Sequence, residues 1–126
     1  MAERRIFALR GATRSLNTRD DIEKQTVEMY DELLSRNKLE PEDLVSIIFS
    51  VTSDLDAMNP ATALRGKGRA AETALFVTQE AYFPGSLERV IRVLIHCYLD
   101  TKPVYVYRNG AETLRQLTIN NENEIN

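Results

Sequence analysis

The residues able to do chemistry in this chain are mainly arginines. Arg4, Arg5, Arg10, Arg14 and Arg19 crowd the first segment, and Arg65, Arg69, Arg89, Arg92, Arg108 and Arg115 follow later. Set against them are one histidine, His96, and one cysteine, Cys97. A single cysteine excludes an internal disulfide and any multi-cysteine zinc or iron–sulfur site. A single histidine argues against a His-rich metal centre or a His-dependent relay, and both residues read as parts of a sheet. The sequence has no Gly-rich phosphate loop, no Gly-x-Ser-x-Gly elbow and no metal-spaced cluster. What remains is a set of guanidinium groups, which hold carboxylates and stabilise negative charge developing on oxygen. An enzyme made from this chain would work with arginines and the shape of its cleft. Arg92 stands out, because it lies between Ile91 and Val93 in an apolar stretch and is costly to bury without an anionic partner.

The charge balance narrows the partners. Sixteen basic and 19 acidic residues give a net charge of −3, whereas a dedicated nucleic-acid binder usually carries a basic surplus. Scattered arginines can still assemble a local cationic pocket. With 126 residues, 43% hydrophobic and 28% charged, the chain has the size and composition of one globular domain. No apolar run exceeds four residues, so no membrane span is expected. The start, Met-Ala-Glu-Arg-Arg, reaches Arg10 without the apolar segment of a signal peptide. These features predict a soluble, reduced, cytoplasmic domain.

Of the elements that carry the arginines, the first is residues 5–10, which read as a strand ending at Gly11. Thr18-Arg-Asp-Asp21 resembles a capping box, opening a helix from about Arg19 to Ser35 that Asn37 ends in a left-handed conformation. Its apolar stripe is Ile22, Thr26, Met29, Tyr30, Leu33 and Leu34. Pro41–Asp43 marks a turn or a single helical turn. In the strand 45–52, alternation puts Val45, Ile47, Phe49 and Val51 on one face and Ser46, Ile48, Ser50 and Thr52 on the other. Asn59-Pro60 is an N-cap with Pro at the first helical position, predicting a short helix over 60–65 that Gly66-Lys-Gly68 breaks. Strands are expected at 73–78 and 104–108. Residues 86–99 fit either period, and β-branched enrichment favours a strand over 90–99. Asn109-Gly110 predicts a hairpin into 111–115. A single domain over 1–115 is followed by a polar tail, 116–126, expected to be disordered.

Several blocks then fall into a known order. Leu9-Arg-Gly-Ala-Thr13, Thr52-Ser-Asp-Leu-Asp56, Asn59-Pro-Ala61 with Arg65, Gln79-Glu80, Gly85-Ser-Leu87, Ile91-Arg-Val93, Val106-Tyr107 and Leu114-Arg115 occur colinearly over about residues 5–115. In this the chain resembles the trimeric α/β class of monofunctional chorismate mutases. The resemblance implies an α+β fold, a mixed sheet packed on one long helix plus a short helix in the order β-α-β-α-β-β. It also implies a homotrimeric pseudo α/β-barrel with active sites between subunits. One helix cannot cover a five-stranded sheet, and trimerisation would cover the rest. The implied reaction is the intramolecular Claisen rearrangement of chorismate to prephenate in aromatic amino acid biosynthesis, with no cofactor and no metal.

The resemblance also implies roles. Arg92 matches the arginine that bonds the ether oxygen and a carboxylate. Arg10 matches one that binds a substrate carboxylate, and Tyr107 a tyrosine donating its hydroxyl to a carboxylate. Glu80 matches the glutamate that accepts from the substrate hydroxyl. Arg65 would stand at the pocket mouth, Phe76 and Leu114 would be walls, and Val77 would keep only a backbone contact. Asn59, Ala61 and Thr62 complete the substrate-binding set, with two departures. Asn59 stands where an aromatic usually lines the pocket, and Thr62 where a lysine often guides the anion, a charge that Lys67 or Arg69 could supply. Gln116-Leu117 replaces the family's Pro-Asp after Arg115, which bears on closure of the tail. Two other classes stay open: a trimeric imine deaminase-like enzyme, and a non-catalytic anion-binding regulatory trimer.

Overall fold

The sheet is organised around a long apolar strand at its centre. The structure, a computed structural model, describes residues 4–114; Arg115 and the expected disordered tail lie outside them. The elements are β1 (Arg5–Arg14), α1 (Arg19–Asn37), a 3-10 turn (Pro41–Asp43), β2 (Leu44–Val51), α2 (Pro60–Gly66), β3 (Ala74–Gln79), β4 (Val90–Leu99) and β5 (Val106–Arg108). Spatially the sheet runs β3-β2-β4-β1-β5. β4 is antiparallel to both β1 and β2, whereas β3 on β2 and β5 on β1 are parallel pairs. The mixed α+β architecture is as expected, and its five strands fall where the sequence places them, one more than the order β-α-β-α-β-β counts.

Alternation decides which face each residue serves. Ile91, Val93, Ile95, Cys97 and Leu99 of β4 are buried, together with Leu9 of β1 and Ile47 and Phe49 of β2. They form one core with Ile22, Met29, Tyr30, Leu33 and Leu34 of α1 and Leu64 of α2. Burying a side chain of this size contributes roughly 1.5–3 kcal/mol. Thr18 caps α1 as expected, its hydroxyl accepting from the Asp21 N–H at 3.1 Å. The opposite sheet face carries neither α1 nor α2. There, at one end only, Ala12, Val90 and Ala111 form a small second core with Leu87, Tyr107 and Leu114.

Four expectations change. β1 does not stop at Gly11 but continues to Arg14, because Ala12 and Thr13 pair with Arg92 and Ile91 of β4. Asn37 stays helical, and Lys38 takes the left-handed conformation (φ 53°). Asn37 is instead a buried clamp: its amide donates to Leu33 O and Val104 O and accepts from the Val104 N–H, all at 2.8 Å. A register shift between Leu44 and Ser46 turns Val45 outward, 44% exposed, so it leaves the face of Ile47 and Phe49. Asn109 and Gly110 do turn with positive φ, but no hairpin follows. The Asn109 amide donates to Arg14 O at 2.7 Å, β5 lies parallel to β1, and residues 112–114 begin a helical turn.

Candidate active site

β4 presents Arg92 on the face away from α1 and α2. Its cross-strand partners are Ser50 on β2 and Ala12 on β1, both small, so the side chain is flanked by open space. On one side a cleft of about 250 Å³ is lined by Arg10, Gly11, Ala12, Ile48, Ser50, Leu94 and Tyr107 as well as Arg92. On the other, a cleft of about 620 Å³ holds Glu80, the loop from Ala81 to Glu88, and Leu114. Arg92 lines both.

Each partner arrives through the local fold. Tyr107 sits opposite Ala12 because β5 pairs in parallel with β1. Arg10 is on the same face of β1, exposed, with its guanidinium 6.0 Å from the Tyr105 ring centroid. Glu80 follows β3, and its N–H donates to Val51 O at 2.7 Å, extending the β2–β3 ladder by one step. That step brings the carboxylate beside β2, where the Ser50 hydroxyl donates to Oε1 at 2.6 Å. Arg92 Nε is 3.5 Å from the same oxygen. Nε is itself buried and without a hydrogen-bond partner, although the Arg92 side chain is 41% exposed. The pair is charge-balanced but loosely closed, so both members retain capacity for a ligand. Leu114 reaches this end of the sheet through the helical turn after Gly110 and packs in the second small core.

The remaining expected residues lie elsewhere in the chain. Asn59 caps α2, its side-chain oxygen accepting from the Ala61 and Thr62 N–H groups at 2.8 and 3.3 Å. Ala61 packs against the main core and Thr62 is exposed. Arg65 donates from Nη2 to Thr73 O at 2.7 Å. Phe76 projects from edge strand β3 and is 66% exposed, whereas Val77 points the other way and packs against the core. None of these six lines either cleft. One chain therefore gathers Arg10, Glu80, Arg92, Tyr107 and Leu114, and keeps the other six apart from them. Lys67 and Arg69, the candidates for the charge absent at Thr62, are both engaged by acids within this chain. Lys67 is paired with Glu23 at 3.3 Å, and Arg69 grips Asp31 through Nη2 at 2.7 Å and Nε at 3.2 Å. Both therefore face α1.

Ser50 was missed as a site residue. Its signal was present, a hydroxyl alternating with Ile47 and Phe49 on the polar side of an apolar strand, but its partner depended on the β2–β3 pairing. His96 and Cys97 behave as sheet residues. His96 Nδ1 shares a hydrogen bond with the Ser46 hydroxyl at 3.0 Å. Burial pushes the Cys97 thiol up to about 11, which leaves it protonated and unreactive near neutrality.

The sequence profile of chorismate mutase type I matches residues 6–117. The chain belongs to that family. It is 38% identical over 115 residues to the chorismate mutase AroH of Thermus thermophilus, covering 87% of this chain and 93% of that one. It is 31% identical over 96 residues to chorismate mutase AroH of Bacillus subtilis (strain 168), covering 75% and 76%. A solved chorismate mutase from Clostridium thermocellum superposes with a TM-score of 0.81 at 44% identity, over 85% of this chain and 98% of that one. Of the three functional classes open at the level of sequence, these matches support the mutase.

Proposed function

We propose that this chain isomerises chorismate to prephenate, at the clefts that meet at Arg92, and that Arg92, Glu80, Arg10 and Tyr107 carry the reaction. The observation behind this reading is the buried Arg92 Nε, without a hydrogen bond though 3.5 Å from the Glu80 carboxylate, in a cleft it shares with Arg10 and Tyr107. The reaction is intramolecular: an ether C–O bond breaks as a C–C bond forms, and no proton, nucleophile or cofactor takes part. Its barrier falls in two ways. The dicarboxylate must be held in the reactive chair, which is a matter of orientation. Negative charge on the ether oxygen must also be met by a donor already in place, which favours the transition state over the ground state.

In this reading Arg92 donates to the ether oxygen and a carboxylate. Arg10 and Tyr107 hold carboxylates, and the free oxygen of Glu80 accepts from the substrate hydroxyl. Leu114 is a wall. Arg65, Phe76, Asn59 and Thr62, with the backbone of Val77 and Ala61, whose side chains pack in the core, would form the opposite wall, contributed by a second copy in a homotrimer. Two features support that assembly: these six residues stand apart from the cleft in one chain, and the face away from α1 and α2 carries exposed Ile6, Phe76 and Tyr98. Asn59 then offers a ligand chiefly its side-chain NH2 group, since its oxygen caps α2. No helix among the described residues is long and apolar enough to cross a membrane. A cytoplasmic setting, with no nucleic-acid or membrane partner, goes with the net charge of −3 and the small dicarboxylate substrate.

The test is direct. Purified protein is mixed with chorismate, and loss of its ultraviolet absorbance is followed alongside the appearance of prephenate. Sedimentation should give three times the 14.4 kDa chain mass. A rate no faster than buffer alone would refute the catalytic reading, and an active monomer would refute the composite site.

A further inference from the structure

The Glu80–Arg92 pair raises a physical question. A carboxylate and a guanidinium free to approach close to about 2.7–2.9 Å and commonly bind in a two-pronged fashion. Here the Nε–Oε1 separation is 3.5 Å and Nε is left without a hydrogen-bond partner in a buried position. Something else holds the oxygen. The Ser50 hydroxyl does so at 2.6 Å, and it is placed there by two registers at once. Ser50 is directly opposite Arg92 across the antiparallel β2–β4 pair and opposite Thr78 across the parallel β2–β3 pair, with Glu80 two residues beyond Thr78.

We propose that Ser50 is a positioning residue for the mutase reaction, anchoring Oε1 of Glu80 so that the acid cannot collapse onto Arg92. The anchor leaves the second carboxylate oxygen for the substrate hydroxyl. It also keeps the Arg92 donors for the ether oxygen and carboxylate. Without the anchor the two charges satisfy each other, and the substrate must compete with Glu80 for the guanidinium. The effect falls on kcat, because donors already engaged in a closed ion pair must be released as charge develops on the oxygen. A serine that merely filled a polar strand position would affect folding and leave turnover alone. This proposal rests on reading the cleft as the chorismate site.

The experiment measures kcat, KM and melting temperature for the full chain, Ser50→Ala, Ser50→Thr, Glu80→Ala and the double variant Ser50→Ala/Glu80→Ala. Ser50→Ala should lower kcat about tenfold, with KM within about twofold and melting little changed. Ser50→Thr, which keeps the hydroxyl, should recover most of that loss. On the Glu80→Ala background, Ser50→Ala should have no further effect, since Ser50 acts only through Glu80. Losses that multiply in the double variant would overturn the proposal, as would a Ser50→Ala change confined to KM or a kcat equal to wild type. Wild-type protein that leaves chorismate unchanged would sink the cleft reading and this proposal with it. Active wild-type protein with an indifferent Ser50→Ala sinks this proposal alone.

Discussion

Replacing Gly11 by Ala should disturb stability and catalysis together, by an amount set by three contacts. Gly11 lies in β1 between Arg10 and Ala12, paired with Val93 on one side and Val106 on the other. A Cβ there would stand 3.0 Å from Leu33 Cδ1, 3.1 Å from Val93 Cγ1 and 3.2 Å from Val106 O, all inside ordinary contact distance. The first two neighbours are side-chain ends and can give by a few tenths of an ångström. The third is the backbone carbonyl of β5, which yields only if the edge strand moves. Overpacking of this kind costs about 1–3 kcal/mol, and the loss of glycine's freedom in the unfolded chain returns about 0.4–1 kcal/mol. The net is a destabilisation of about 0.5–2 kcal/mol. For a domain of this size that lowers the melting temperature by roughly 2–8 °C. Because Tyr107 follows Val106, any shift of β5 moves its hydroxyl, and kcat/KM for chorismate should fall up to about tenfold. Thermal denaturation and chorismate turnover on the same preparation test both halves. An unchanged or raised melting temperature would show that Leu33 and Val93 absorb the methyl and that β5 is not held against Gly11. A lowered melting temperature with unchanged kcat/KM would separate β5 from the chemistry.

Arg92→Ala should lower kcat by several orders of magnitude, and the neutral isostere citrulline should also be severely impaired although it keeps hydrogen-bond donors; near-normal turnover by the isostere would defeat the electrostatic account. The double variant Lys67→Ala/Arg69→Ala should keep wild-type kcat/KM across a salt series, because both cations are held by acids of α1; a drop confined to low salt would mean that they guide substrate after all. Burial alone would raise the Asp21 carboxyl, but the Leu16 N–H and the Gln25 and Ser15 side chains outweigh it and hold it below its ordinary 3.8. A depressed carboxyl stabilises the fold above its unfolded value and loses that contribution as pH falls through the folded one. Asp21→Asn should therefore melt below wild type at neutral pH, with the gap narrowing below about pH 4; a gap constant with pH would refute the assignment.

Elements set by local periodicity were legible from the residues alone, and those set by pairing were not. The alternation over Val90–Leu99 and the Thr18 and Asn59 caps needed no knowledge of partners. Val45 was misplaced because a bulge is a property of two strands, visible only once β2 is set against β4. Asn109-Gly110 has the composition of a hairpin, yet the Arg14 carbonyl takes the Asn109 amide and directs the chain into a helical turn instead. The site divides in the same way. An arginine inside an apolar strand was conspicuous by itself, while the role of Glu80 rested on resemblance and that of Ser50 on the β2–β3 register. Lys67 and Arg69 looked available because nothing local reveals that Glu23 and Asp31 lie beneath them.

The order of strands in the sheet has a consequence for synthesis. β4 pairs with both β1 and β2, and β5 then adds to the free side of β1. As the chain leaves the ribosome, only the β2–β3 pair can form before residue 90 emerges. β1 waits through most of translation for either neighbour. Contacts so distant in sequence make folding slow for the size of the domain, and they leave the apolar side of β1 exposed to other partners in the meantime. The proposed catalytic cleft assembles last of all, since Arg10 and Tyr107 meet only when β5 adds to β1. A nascent chain stalled before β5 should therefore hold its helices yet offer chorismate no site.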